Sequence, residues 1–199
     1  MKLLEERILN EGTVAPGGII KVDCFLNHRL DVALLNEIGA EFGRLFASDG
    51  VNKILTVEAS GIGIACIAAQ YFKMPDGGIP PVVFAKKSQS LNLSQDVWTS
   101  RVKSYTHGNE NIIRVSKKYL GEGDRVLIID DFLAAGNASL GLLDIIEKSG
   151  AVCAGVGICV EKGFQPGGRM LLDRGVKLRS LAIVQLDENG GIYFDHREE

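Results

Sequence analysis

An α/β fold built on a mostly parallel sheet is what this sequence predicts, and three observations carry that expectation. Short apolar runs recur along the chain as KILTVE (53–58), PPVVFAKK (80–87), RVLIIDD (125–131), AVCAGVGICVEK (151–162) and VKLRSLAIVQL (176–186). Helical patterns stand between several of them, SGIGIACIAAQYF after the first run and ASLGLLDIIEKSG (138–150) after the third. The runs are continuous rather than alternating, as in strands covered on both faces. With 46% hydrophobic residues in 199 and a mean hydropathy of +0.12, the chain can fill the core of one such domain and is too apolar for disorder.

Each element has its own local grounds. The opening MKLLEERILNEG carries two early acids and no apolar central region, so it is not expected to be a signal peptide. From Asp31 to Ser48, residues Leu34, Leu35, Ile38, Phe42, Leu45 and Phe46 share one helical stripe, with Asp31 as N-cap and Gly50 as stop. The helix after the first strand is expected beyond its glycines, and Gly150 ends the helix that follows RVLIIDD. The long polar segment SQSLNLSQDVWTSRVKSYTHGN, which starts at Ser88, shows little periodicity and reads either as a lid or as a surface excursion holding a β-hairpin. Asp187-Glu-Asn-Gly-Gly191 reads as a hairpin turn into IYF (192–194).

Composition narrows the function. No apolar run approaches the roughly 20 residues that span a bilayer, and a cytoplasmic location is the default. Cys24, Cys66, Cys153 and Cys159 are scattered without a C-x-x-C pair, which favours buried, reduced thiols over a metal or disulfide. A net charge of −3 with no Lys/Arg block argues against nucleic-acid binding, which draws its affinity from many phosphate contacts.

The strand ends carry the functional signal. In parallel sheets ligands gather at the carboxyl ends of the strands, and here those ends read Glu58, Lys86-Lys87, Asp130-Asp131 and Glu161-Lys162. The third is the oddest. Two like charges close a buried strand, and burying them unpartnered is costly, so they want hydroxyl donors, a cation or a developing positive charge. If the chain turns there, both can face the crevice; a sugar diol would match them. Ala134-Ala135-Gly136-Asn137-Ala138 then opens a helix whose first-turn N–H groups and dipole favour a phosphate, and small side chains let it approach. The plainer reading is a strand–turn–helix with an acidic turn.

IIDDFLAAGNA (128–138) resembles the phosphoribosylpyrophosphate (PRPP) signature of the type I phosphoribosyltransferases. IKVDCFLNHR (20–29), VEASGI (57–62), VVFAKK (82–87) and ICVEKGFQPG (158–167) resemble, in the same order, blocks of the xanthine-directed members of that family. The resemblance implies one phosphoribosyltransferase domain over residues 1–199. Its N-terminal segment, to about residue 30, and its C-terminal segment would form a hood over the purine. It implies transfer of the 5-phosphoribosyl group of PRPP to xanthine, giving xanthosine 5′-monophosphate and pyrophosphate, in purine salvage. Mg²⁺ would be carried mainly by PRPP and pyrophosphate, with no protein metal ligands, and the protein would be a homodimer whose interface the apolar helix stripes could supply. Two departures stand out: the phosphate loop has alanines and Asn137 where many relatives have threonines, and KMPDGGIPP (73–81) lengthens a connection away from the site.

The resemblance also assigns roles. Asp130 and Asp131 are the catalytic acids, facing the ribose and stabilising an oxocarbenium-like transition state. Ala134, Ala135, Gly136, Asn137 and Ala138 take the 5-phosphate, on main-chain N–H groups because hydroxyls are scarce. Ser60 and Gly61 match the pyrophosphate loop, though they also read as a plain strand-to-helix turn. Lys86 and Lys87 reach pyrophosphate or are simply solvated. Arg101, Lys103 and Tyr105 lie in a segment the family would close over PRPP. Ile20, Asn27 and Lys162 point to the purine; xanthine's carbonyls need donors, which Lys162 and the Asn27 amide offer. Lys162 paired with Glu161, and Asn27 as a turn residue, are the plainer readings. Phe25, Phe132 or Phe164 would stack on the base, and His28, His107 and His196 serve no catalytic pair. Two rival functions stay open: a phosphoribosyltransferase for guanine, hypoxanthine or adenine, and a non-catalytic PRPP-sensing purine regulator, for which the chain leaves no room for a DNA-binding domain.

Overall fold

The computed structural model describes residues 1–88, 96–103 and 110–197. The chain begins with α1 (Lys2–Glu11), a two-stranded hairpin of β1 (Thr13–Ala15) and β2 (Ile19–Lys21), and a single π-helical turn, Asp23–Asn27. Then follow α2 (Val32–Leu45), β3 (Lys53–Val57), α3 (Ser60–Ala69), β4 (Val82–Ala85), β5 (Val97–Lys103), β6 (Glu110–Ser116), β7 (Arg125–Leu133) and α4 (Asn137–Ser149). The chain closes through β8 (Val152–Lys162), α5 (Gly167–Asp173), β9 (Leu178–Leu186) and β10 (Ile192–Asp195).

Six strands form the central sheet in the order β10-β9-β8-β7-β3-β4, parallel except for the β10 edge. The expected mostly parallel sheet is therefore present, and the DENGG turn makes the expected hairpin, Asp187 accepting from the Asn189 and Gly191 amides at 2.8 and 2.7 Å. From β3 the chain runs outward to β4; from β7 it runs the other way to β8 and β9. The strand order reverses between β3 and β7, and a crevice opens at their carboxyl ends. The helices that follow these two strands diverge, α3 into the core on one face with α1 and α2, α4 into the core on the other with α5 and the β5–β6 hairpin.

The α2 stripe is buried in the first core, with Leu35, Ile38 and Phe42 fully enclosed. It does not supply a subunit interface. Asp31 caps α2 as expected, its Oδ1 accepting from the Leu34 amide at 3.2 Å while Arg7 of α1 donates to Oδ2 at 2.9 Å. The capping bond and Arg7 hold this carboxyl below its ordinary range. α1 itself, unassigned from the sequence, is legible afterwards as Leu4 and Ile8, four apart and both buried.

The glycines of AVCAGVGICV have a packing reason. A Cβ on Gly155 would stand 2.5 Å from the Phe46 ring and 3.0 Å from the Lys177 carbonyl; one on Gly157 would stand 2.8 Å from the Phe42 ring. Strand β8 thus lets Phe42 of α2 and Phe46, which follows that helix, sit directly on its backbone.

One expectation is corrected here: α3 begins at Ser60 and takes in both glycines instead of starting beyond them. Gly61 is there because a Cβ would collide with Thr56 Oγ1, and it would lie 3.0 Å from Asp130 Oδ1. The described part of the segment after Ser88 is an antiparallel hairpin, β5 paired with β6, seated on α4 at Gly141 against Val102 and Ile113. Its alternation was there to be read: Ser100 and Val102 are buried while Thr99 and Arg101 are exposed. Tyr105 and His107 lie outside the described residues. KMPDGGIPP enters the amino end of β4, opposite the crevice, as expected of an insertion remote from it.

Gly155→Ala is expected to lower stability by about 1–3 kcal/mol, because neither the enclosed Phe46 ring nor the Lys177 carbonyl can yield without cost. Urea unfolding at equilibrium measures this, and an unchanged midpoint would contradict the close approach.

Candidate active site

The acidic doublet is not at a turn. Strand β7 runs on to Leu133, so Asp130 and Asp131 lie within it, contrary to the expectation of a strand end. A regular strand would send them to opposite faces. The alternation is broken instead: Leu127 and Ile129 belong to one core and Val126 and Ile128 to the other, yet Phe132 falls with the first and Leu133 with the second. The same slip recurs next door, where Cys159 and Val160 of β8, and Leu181 and Ala182 of β9, are consecutive residues in one core. Across this fault the two carboxylates stay close, and the Asp131 amide donates to Asp130 Oδ1 at 3.0 Å.

Their environments differ. Asp130 is 5% exposed, and burial, then the neighbouring charge and side chain of Asp131, push its pKa well above the ordinary carboxylate range, with Lys87 pulling the other way. Asp131 is half-buried and accepts a 3.0 Å hydrogen bond from Asn27 Nδ2. That bond leaves the second hydrogen of the Asn27 amide available to a ligand. Beneath them lies Thr56, fully enclosed, with a hydroxyl that has no protein partner. Thr56 is marked in KILTVE only as a polar residue in an apolar run.

The loop that follows is bare main chain. Gly136 takes φ +85°, and no side chain caps α4. The first-turn amides of such a helix have no carbonyl one turn back, and its dipole adds positive potential there. Phe132 to Ser139 line a cavity of ≈ 170 Å³. Against this loop packs the start of α5: Gly167 donates to the Ala134 carbonyl at 3.0 Å, and a Cβ on Gly167 would collide with that carbonyl and stand 2.7 Å from the Gly136 nitrogen. Gly167 belongs to the cradle although its side was not anticipated.

Lys162 ends β8 half-buried, its Nζ 5.7 Å from the Phe132 ring, and burial lowers its pKa. It is not paired with Glu161, whose carboxylate binds Arg197 and Ser180 instead. Phe132 thus lies between the acids and Lys162. Phe25 is fully enclosed beneath Arg7 and cannot stack on a ligand; Phe164 is 40% exposed beside Gly18 in the β1–β2 turn. The Ile20 side chain is committed to the core at 5% exposure.

The remaining strand-end charges divide between structure and site. Glu58 ties β3 to the end of β4, Oε1 accepting from the Lys87 amide at 2.5 Å. Lys86 joins Arg114 through a main-chain bridge, leaving its side chain over Phe84, 6.0 Å from the ring. Lys87 is exposed, and its charge is felt at Asp130. Ser60 and Gly61 form the first turn of α3 across the crevice from the Ala134–Ala138 loop.

The model of the phosphoribosyl transferase domain matches residues 33–180. The chain belongs to the phosphoribosyltransferase family. Similar curated members include the xanthine phosphoribosyltransferase of Ruminiclostridium cellulolyticum, 56% identical over 194 residues that cover 98% of this chain and 99% of that one. That of Clostridioides difficile is 53% identical over 98% of this chain and all of its own. Among solved phosphoribosyltransferases, the adenine enzyme of Giardia lamblia superposes with a TM-score of 0.72 at 19% identity, covering 89% of this chain and 96% of that one. That of Thermoanaerobacter pseudethanolicus gives 0.69 at 21% identity, over 89% and 98%. At such identities the solved structures establish the fold.

Because the fold raises the Asp130 pKa, it favours the protonated carboxyl. The stability linked to this group is complete below the ordinary carboxylate range and is lost as pH climbs through the raised value. Asp130→Asn, uncharged throughout, should therefore gain in melting temperature over the parent chain as pH rises above the ordinary carboxylate range. A difference constant with pH, in thermal unfolding, would contradict the burial of charge.

Proposed function

We propose that this protein transfers the 5-phosphoribosyl group of PRPP to xanthine, releasing pyrophosphate and forming xanthosine 5′-monophosphate in purine salvage. The observation that carries the reading is identity above 50%, over 98% of the chain, to enzymes named for that reaction. The geometry supports it. A bare amide cradle at α4 suits the 5-phosphate, and Asp130 with Asp131 suits the ribose hydroxyls and the positive charge that develops on the sugar. The first turn of α3, Ser60-Gly61, with Lys87 nearby, suits the pyrophosphate on the other lip of the crevice.

Mg²⁺ fits this arrangement as an ion that arrives on the diphosphate of PRPP. Among the described residues no three His, Cys, Asp or Glu side chains cluster, and Mg²⁺ ordinarily keeps waters and one or two carboxylates beside substrate oxygens. Asp130 and Asp131 are the hard oxygens it would meet. When bound, it neutralises the leaving diphosphate.

For the base, Lys162 and the second Asn27 hydrogen are donors suited to the two xanthine carbonyls, and the Phe132 ring offers a stacking face between them and the acids. An adenine amino group would need an acceptor where Lys162 offers none. The base half is built from both ends of the chain, residues up to about 30 and the strand-end segment after Lys162, which is the hood of this reading. Four free cysteines agree with a reducing cytoplasm. Cys66 is exposed, so the thiols are not all core residues as expected. No helix among the described residues is long and apolar enough to cross a membrane. A homodimer completes the reading and would use a face other than the α2 stripe.

Pyrophosphate release from PRPP and Mg²⁺, with xanthine, guanine, hypoxanthine and adenine compared, tests the proposal; xanthine should give the highest kcat/KM, and no turnover of any base would overturn it. Lys162→Ala should raise the xanthine KM about tenfold or more while moving the PRPP KM little. Equal effects would remove Lys162 from base recognition. Gly136→Val, forced to φ +85° and 3.0 Å from the Gly167 Cα, should abolish PRPP binding by calorimetry in a folded protein.

A further inference from the structure

Glu161 is 1% exposed, more deeply buried than the catalytic doublet itself. Such a carboxylate needs a full set of partners, and it has them. Arg197, beyond β10, grips it with both guanidinium nitrogens, Nη1 reaching Oε2 at 2.7 Å and Nη2 reaching Oε1. Ser180 of β9 donates to Oε2 at 2.5 Å. The pair sits where two routes to the site begin. Along β8 the next residue is Lys162. Across the fold Gly168 lies under the pair: a Cβ there would collide with the Glu161 carboxylate and stand 2.8 Å from Arg197 Nη2. Its neighbour Gly167 is the residue hydrogen-bonded to Ala134 and lodged against the Gly136 nitrogen of the phosphate loop.

We infer that Arg197 is a positioning residue for substrate binding: by closing on Glu161 it fixes the end of β8 and the start of α5, and through them Lys162 and the phosphate cradle. The inference rests on the reading of Lys162 and the cradle given above. A planar, two-pronged guanidinium holds a carboxylate in one orientation, which an ammonium cannot do. Asp130 and Asp131 lie on β7, where Asp130 pairs with Ile158 and Phe132 with Val160 of β8, ahead of the strand end that Glu161 occupies, so the chemical step is less exposed to the loss of Arg197 than binding is.

Steady-state kinetics on the full chain with Mg²⁺ test this in Arg197→Met and Arg197→Lys, alongside thermal unfolding. Arg197→Met should raise the xanthine KM about tenfold and the PRPP KM about threefold, with kcat within about threefold of the parent chain. Arg197→Lys, charged but lacking the fork, should fall between the two. Lower melting temperatures with both KM values within about twofold would reduce the pair to a structural brace and overturn the inference, as would a loss confined to kcat. Should Arg197→Met fail to fold, the Arg197→Lys KM values decide by the same criterion. A parent chain that turns over no xanthine would sink the functional reading alone; calorimetric PRPP affinity of the same variants would still decide for the cradle.

Discussion

Two carboxylates held side by side in the central strand of a parallel sheet are the constraint on which the rest of this structure depends. Like charges at that distance repel, and the enclosed one is disfavoured further by burial. The surroundings answer this residue by residue. The strand breaks its alternation, so that Asp130 is buried while Asp131 keeps partial exposure beside it. Asn27 reaches across 104 residues of sequence to hold Asp131, and Lys87 brings a cation within influence of Asp130. The carboxyl that stays uncomfortable is the one best able to stabilise a nearby positive charge, which ties the local instability to the chemistry proposed for the site.

Close approach of backbone is the second theme. At Gly61 the first turn of α3 comes down onto Thr56 and Asp130; at Gly136 and Gly167 two loops meet main chain to main chain; at Gly168 an ion pair lies flat on the backbone. Each contact excludes a Cβ, and together they draw the carboxyl ends of β3, β7 and β8 around one crevice. The strain-tolerant glycine at +85° and the uncapped helix behind it leave the cradle without side chains of its own. An anion held there, as proposed, would be bound by oriented amides.

Much of this was legible in advance because the signals were local. The continuous apolar runs gave the strands, Asp31 its capping role, and the Asp187–Gly191 turn its hairpin. The doublet and the small-residue loop stood out against their apolar surroundings. What escaped was set by tertiary contact. Nothing near Glu161 in sequence distinguishes it from Glu58 or Lys162 as a strand-end charge, yet a partner 36 residues away turns it inward. The break in alternation along β7 is invisible in RVLIIDDFL, since it is shared with β8 and β9. The glycines of SGIGIA look like helix breakers until the packing of Thr56 and Leu30 against them is known. The β5–β6 hairpin was only one of two readings, because its inward positions include the polar Ser100 beside Val102.

The sequence separations around the crevice have a consequence for how the protein comes into being. The elements of the proposed phosphate cradle, β7 and α4, are contiguous in the chain, and α5 follows after one intervening strand, β8. The base half closes only when residues near 27, 131, 162 and 197 meet. Long-range closure costs more chain entropy than local closure and slows assembly. On the proposed assignment, a polypeptide leaving the ribosome therefore organises the cradle for an anion well before the half that would discriminate one heterocycle from another.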